Sequence, residues 1–157
     1  MTKNKLKIHI LCGLPASGKT HFSNHAFGSV RDRTVTDFDW LSHQMKEETD
    51  IISFGLKHTI SCIKSKSHIK VFILDGLFTT NVQYEKILRG LSSEITTDET
   101  VEYTFHFWEE DREACLWNDR GRREKDSIDT IRNCPLEKPD LGLLKKINEN
   151  VSVKTHN

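Results

Sequence analysis

An apolar, strand-like run that leads directly into a glycine-rich loop constrains the fold of this chain more than any other feature. The run covers residues 6–12, and residues 13–20 read Gly-Leu-Pro-Ala-Ser-Gly-Lys-Thr, which fits the pattern G-x-x-x-x-G-K-[ST]. Loops of this kind turn their backbone N–H groups toward phosphate oxygens and continue into a helix whose N-terminus faces the anion. We therefore predict a phosphate-binding loop between the first strand and the first helix.

The residue types within this loop suit separate parts of phosphate binding. The glycines let the backbone N–H groups turn inward, Lys19 supplies a cation for the β- and γ-phosphates, and Thr20 offers a hydroxyl to Mg²⁺. The alternative is a glycine-rich turn that binds nothing. The nucleotide-binding residues predicted in the loop are Gly13, Ala16, Ser17, Gly18, Lys19 and Thr20.

Length and composition indicate one ordinary domain with balanced charge. We predict a single unit over residues 1–157, and because Lys plus Arg and Asp plus Glu each total 23, any basic site must be local. Four cysteines without C-x-x-C spacing, and no secretory apolar region at the N-terminus, lead us to expect a reduced, cytoplasmic protein. No window approaches the roughly 18 consecutive apolar residues of a membrane span, and no feature points to a protein partner.

Strand-like and helix-like segments alternate along the chain. Such alternation favours a three-layer α/β/α fold with a parallel sheet of about five strands and with the chemistry at the carboxyl edge of the sheet. A small helical lid that bears arginines is expected over about 111–139, and the tail 154–157 is expected to fray. We predict strands at 6–12, 33–36, 69–75, 101–108 and 151–153. We predict helices at 19–27, 80–89 with an end at Gly90, and 141–147, and one long or broken helix over 40–65.

Three aspartates stand at the ends of predicted strands. Asp75 closes an apolar run and is placed to hold Mg²⁺ beside the Thr20 hydroxyl, although an Asp-Gly pair after a strand also forms simple turns. Asp37 and Asp39 follow the second strand, where a carboxylate can orient and deprotonate an attacking hydroxyl. The alternative for Asp39 is a helix N-cap, and the choice between Asp37 and Asp39 as the base stays open.

A basic segment lies within the predicted lid. Arg120, Arg122 and Arg123 are placed to lay guanidinium groups over a transferring phosphoryl group, where bidentate donors bind well. The alternative is a solvated helix end with favourable cations in its last turn. We predict Arg120 and Arg122 as catalytic residues and Arg120 also as a nucleotide-binding residue.

These motifs together resemble the polynucleotide-kinase-like group of P-loop kinases, which belongs with the adenylate-kinase-type phosphotransferases. The resemblance covers most of the chain. The matching pieces are the loop 13–20, Asp39, Asp75 with Thr79-Thr80-Asn81, the arginine-bearing segment 115–123 and Leu136-Glu137-Lys138-Pro139.

The resemblance implies a parallel sheet, ATP with Mg²⁺, and phosphoryl transfer to an alcohol, with Asp39 as the base and Arg120 or Arg122 in the lid. Many members carry an arginine three residues after the base, where this chain has Ser42, which weakens the case for an oligonucleotide end as the acceptor. We expect a kinase that acts on a hydroxyl of a nucleic acid or nucleotide. A small-metabolite kinase and a regulatory ATP-binding or ATPase module are the alternatives.

Overall fold

The computed structural model describes the strands, the helices and parts of the segments between them. The described residues are 5–14, 19, 22, 33–38, 41, 50–65, 69–95, 100–109, 112–113, 115 and 132–156. The strands are β1 (Lys5–Cys12), β2 (Arg33–Asp37), β3 (Val71–Asp75), β4 (Thr100–Trp108) and β5 (Val151–His156), and the helices are α1 (Ile51–Ser65), α2 (Asn81–Glu94) and α3 (Leu141–Ile147).

The five strands form one sheet in the order β2-β3-β1-β4-β5, and every neighbouring pair is parallel. The predicted parallel sheet of about five strands is therefore confirmed. Because β3 and β4 flank β1 on opposite sides, the strand order reverses at β1. A crevice opens at such a switch point, outside the carboxyl ends of the strands.

Both faces of the sheet are covered, which explains why β3, and β1 over its last three residues, read as continuous apolar runs. On one face, alternate residues of β1 such as Ile8 and Ile10 pack with α1, α2 and α3 in the main core. On the other face, Leu11, Ile73 and Trp108 pack with Phe22, which is helical and follows the predicted phosphate loop in the chain. The layers are thus helix, sheet and helix. Trp108 packs in this second core, as expected for a large aromatic residue.

The predicted ends of α2 and β5 are wrong. α2 does not end at Gly90 but continues to Glu94. Gly90 allows close packing of the two helices instead, since a Cβ there would lie 2.8 Å from Leu56 Cδ1 of α1. β5 does not end at residue 153 with a frayed tail but extends through His156, which is paired in register with Trp108 of β4. Strand pairing thus overrides the weak local signal of a polar tail.

The predicted helix 40–65 is only partly observed. α1 begins at Ile51, and the preceding Asp50 is not helical; its carboxylate accepts a hydrogen bond from the Ile52 N–H at 3.1 Å. Leu41 is helical, and residues 42–49 lie outside the described part of the chain. β3 begins at Val71 rather than at Ile69.

Candidate functional site

The side chain of Lys19 lies at the carboxyl edge of the sheet, between the ends of its two central strands. Its ammonium donates hydrogen bonds to Gly13 O at 2.9 Å and to Gly76 O at 2.7 Å. Only 8% of the residue is exposed, so these carbonyls replace much of the water that a charged group would otherwise require. Because Gly13 follows β1 and Gly76 follows β3, Lys19 marks the switch point of the sheet.

The backbone at Gly13 explains why a glycine begins the loop. Its φ of 151° lies in a region that residues with a side chain rarely adopt. Its N–H donates to Phe78 O at 3.0 Å, which ties the first residue of the loop to the segment after β3. The turn out of β1 is therefore fixed by a conformation and a contact that both precede any ligand.

Two of the predicted acidic residues lie at this same edge. The Cα partner of Asp75 is Leu11 on one side and Asp37 on the other, and neighbouring strands of a sheet lie about 4.8 Å apart. Asp75 is partly buried and Asp37 is exposed. The structure thus brings Lys19, Asp75 and Asp37 to the ends of three adjacent strands, β1, β3 and β2.

Seven other predicted site residues lie outside the described part of the chain. Their assigned roles stay predictions. These residues are Ala16, Ser17, Gly18 and Thr20 of the loop, Asp39, and Arg120 and Arg122 of the lid.

The described parts of the predicted lid segment pack beside Leu14, the second residue of the predicted phosphate loop. Leu14 and Cys115 are buried together, with Cys134 and Leu136 packed against them. Arg112 Nη2 donates to Cys134 O at 2.9 Å. Both ends of the segment 111–139 therefore lie near the loop.

The segment after the predicted lid is attached to the N-terminus of α2. The Glu137 carboxylate accepts from Asn81 N–H at 2.8 Å, and the Asn81 side-chain oxygen accepts from Asp140 N–H at 2.8 Å. The Tyr84 hydroxyl donates to Glu137 O at 2.8 Å, and Glu137 N–H donates to Thr79 O at 2.7 Å. Two pieces that carry the sequence resemblance, residues 79–81 and 136–139, thus bind each other.

Cys12 is unsuited to nucleophilic chemistry although it directly precedes the loop. Burial raises the pKa of its thiol strongly, and the nearby charge of Lys19 opposes this only in part. The thiol stays protonated at neutral pH, whereas a cysteine nucleophile reacts as the thiolate.

Three histidines form a hydrogen-bonded chain across one face of the sheet, one each on β1, β4 and β5. His9 Nδ1 lies 2.9 Å from His106 Nε2, and His106 Nδ1 lies 2.9 Å from His156 Nε2. The Phe22 ring packs on His106 and His156, with centroid distances of 5.0 and 4.5 Å. This chain of histidines was not predicted, because its three members are far apart in the sequence. The alternation of side chains within β4 was the only local indication that His106 faces into the fold.

Burial keeps these histidines neutral. Desolvation, followed by the charge of Lys154, lowers the pKa of His9 to about 4. Desolvation and the two neighbouring histidines lower the pKa of His106 to about 3, and desolvation also lowers the pKa of His156. Each ring therefore has one N–H at neutral pH, which suits a chain of single hydrogen bonds.

Two further observations concern metals and membranes. Among the residues that the structure describes, no group of three His, Cys, Asp or Glu side chains is placed to hold a metal ion. The helices of that part of the chain are too short or too polar for any of them to cross a membrane.

Comparisons with known proteins identify the fold. No protein-family model and no curated protein sequence matches the chain. A fungal RNA kinase matches with a TM-score of 0.64 at 12% identity, over 100% of this chain and 76% of its own. A candidate kinase from Chloroflexus aurantiacus matches with a TM-score of 0.58 at 16% identity, over 99% and 86%. A gluconokinase from Sinorhizobium meliloti matches with a TM-score of 0.52 at 8% identity, over 98% and 84%. The chain therefore has the three-layer α/β/α fold of P-loop NTPases, as the sequence predicted.

Proposed function

We propose that this chain is an ATP-dependent kinase that moves the γ-phosphoryl group to a hydroxyl of a nucleic acid or nucleotide. The observation that carries the proposal is the buried ammonium of Lys19, held at the switch point of the sheet beside the ends of β2 and β3. Kinases are present among the solved structures that share the fold, at low sequence identity. A cation and two strand-end carboxylates at one edge meet the main needs of phosphoryl transfer.

Nucleotide binding begins with the loop that follows β1. Lys19 exchanges at least one carbonyl partner for oxygens of the β- and γ-phosphates. The N–H groups of Ala16, Ser17 and Gly18 surround the same phosphates. Because Lys19 is buried and bound by two carbonyls, less solvent has to reorganise when phosphates bind there.

The donor set at the strand ends fits a magnesium ion. A carboxylate at Asp75, next to the Gly76 carbonyl that binds Lys19, and a hydroxyl at Thr20 are oxygen ligands of the kind Mg²⁺ prefers. When bound, Mg²⁺ neutralises charge on the phosphate oxygens.

Transfer itself requires a base and a charge clamp. Asp39, with Asp37 as the alternative, accepts the proton of the acceptor hydroxyl as that oxygen bonds to the γ-phosphorus and the bond to the ADP oxygen breaks. Arg120 and Arg122 neutralise the equatorial oxygens during this step. Most of the rate enhancement then comes from positioning and electrostatics.

Nucleic acids and nucleotides are preferred as acceptors because of the family resemblance. The compared structures include an RNA kinase and a gluconokinase. By their names, one protein of this fold phosphorylates a nucleic acid and another a sugar acid. The balanced charge of the chain requires a local groove for any nucleic acid.

The test is a transfer assay with γ-labelled ATP, Mg²⁺ and a panel of acceptors, with Lys19→Ala as the blank. The panel comprises 5′-hydroxyl DNA and RNA, hydroxymethylated DNA, nucleosides and small polyols. Label on a nucleic acid or nucleoside supports the proposal. Label on a polyol alone identifies a metabolite kinase, and free phosphate at a rate that no acceptor changes identifies a regulatory ATPase.

A further inference from the structure

The ring of Phe38 fills a narrow slot directly after β2, between Asp37 and Asp39 in the chain. The residue is 1% exposed, and its ring meets that of Phe78 edge-to-face at a centroid distance of 4.9 Å. The local sequence does not predict this packing, because Phe38 is a single apolar residue between two aspartates.

Two glycines make room for the ring. A Cβ at Gly55 of α1 would overlap the edge of the Phe38 ring, and a Cβ at Gly76 would lie 2.9 Å from Phe38 Cβ. Among the described glycines only Gly13 has a positive φ, so Gly55 and Gly76 serve space rather than backbone conformation. The slot is thus defined by Gly55, Gly76 and Phe78.

Two residues of the slot also hold the phosphate loop. The Gly76 carbonyl accepts from the Lys19 ammonium at 2.7 Å, and the Phe78 carbonyl accepts from Gly13 N–H at 3.0 Å. The same short segment therefore contacts the Phe38 ring on one side and the nucleotide-binding groups on the other. This arrangement links the residue that follows β2 to the start of the loop after β1.

We propose that Phe38 is a positioning residue, whose ring in this slot holds the end of β2, with Asp37, in place relative to Lys19. The inference rests on the proposed function, which assigns the acceptor hydroxyl to Asp39, the next residue in the chain after Phe38, or to Asp37. Consecutive Cα atoms are about 3.8 Å apart, so a backbone shift at Phe38 passes directly to both neighbours. A misplacement of about 1 Å at a reacting centre costs up to about 100-fold in rate.

Two substitutions disturb the slot from opposite sides. Phe38→Leu removes the ring, and Gly55→Ala drives a methyl group into the ring from α1. Gly90→Ala is the matched control: its Cβ would meet Leu56 Cδ1 at 2.8 Å where α2 packs on α1, but the contact is with the flexible end of a side chain outside the slot. Since all three are apolar changes at packed positions, they separate general packing from positioning.

The experiment measures kcat and KM for phosphoryl transfer, equilibrium ATP affinity and Tm for each variant, with rates referred to the folded fraction. We expect Phe38→Leu and Gly55→Ala each to lower kcat about 10- to 100-fold while ATP affinity stays within about twofold. Gly90→Ala keeps both values. In the variant that combines Phe38→Leu with Gly55→Ala, the smaller leucine side chain leaves room for the new methyl group. The loss in kcat is then smaller than the product of the two single losses.

Any of four outcomes would overturn the inference. A lower Tm with unchanged kcat would assign Phe38 to packing alone, and an equal loss of ATP affinity and kcat would assign the slot to the phosphate loop. If the unmodified chain transfers phosphate to no acceptor, the proposed function fails and this inference fails with it. An active unmodified chain with fully active slot variants rejects the inference and leaves the proposed function standing.

Discussion

The ammonium of Lys19 already has two carbonyl partners and little contact with water, so its replacement tests nucleotide binding directly. Lys19→Met keeps most of the apolar stem and removes the charge. Hydrogen bonds to a charged group contribute about 1.5–3 kcal/mol, so we expect ATP affinity to fall about 10- to 100-fold. Titration calorimetry measures this, with Lys57→Met on the exposed face of α1 as the matched control. Unchanged affinity in Lys19→Met would contradict the assignment.

The buried histidine chain predicts an acid-sensitive stability. The pKa of His106 is lowered from 6.5 to about 3 by desolvation and by the two neighbouring histidines, so the unfolded chain binds a proton that the native state excludes. With respect to this group, the native state is most stable above pH 6.5. The free energy of unfolding then falls progressively as the pH drops from 6.5 toward about 3. The expected slope is about 1.4 kcal/mol of unfolding free energy per pH unit for this one group.

Urea unfolding between pH 7 and pH 5 measures this dependence. His106→Gln keeps hydrogen-bonding groups on the same strand but removes the titrating ring, so its unfolding free energy should vary less steeply with pH. A variant with the same slope as the unmodified chain would show that His106 does not carry the dependence.

At the scale of elements, the N-terminus of α2 is secured from two directions. Thr80 and Gln83 form a capping box within the helix, and Glu137 accepts a hydrogen bond from the Asn81 N–H from outside it. Because Glu137 is exposed, we expect Glu137→Ala to lower the free energy of unfolding by only about 0.5–1.5 kcal/mol. Glu137→Gln retains an acceptor oxygen and should recover most of the loss in urea unfolding. Exposed Glu149→Ala is the matched control, and an equal loss there would contradict a specific role for Glu137.

Most elements could be predicted from local pattern, and the errors have physical causes. The apolar runs of β1 and β3 and the helix Leu141–Ile147 were recognisable because burial on both faces or a clear cap leaves a local signature. The end of α2 was misplaced because a glycine often marks the end of a helix, whereas Gly90 leaves space for the side chain of Leu56 on α1. Such contacts between distant segments leave no trace in a single stretch of sequence.

At the scale of the whole molecule, the sheet assembles a site from residues that are far apart in the chain. The sequence predicted that Lys19, Asp37 and Asp75 would meet at the carboxyl edge, because parallel strands share that edge. It did not predict the strand order, the slot around Phe38 or the histidine chain. These depend on which strands become neighbours and on which helix covers each face, and neither is encoded in local periodicity.

The arrangement of the phosphate loop on a single folded sheet also predicts that nucleotide should stabilise the entire molecule. A ligand that binds only the native state, at 100 times its Kd, adds about 2.7 kcal/mol to the free energy of unfolding. For a chain of 157 residues, this corresponds to a rise in Tm of about 5–10 °C.

Thermal unfolding with Mg²⁺ and either ATP, ADP or adenosine tests this expectation and the part of the nucleotide that is recognised. The proposed function assigns phosphate binding to Lys19 and the loop N–H groups, so ATP and ADP should raise Tm and adenosine should not. Lys19→Met should abolish most of the rise without lowering the Tm of the ligand-free protein by as much. An equal rise with adenosine would mean that the chain recognises the nucleoside, and the phosphate loop would then have to be reassigned to a structural turn.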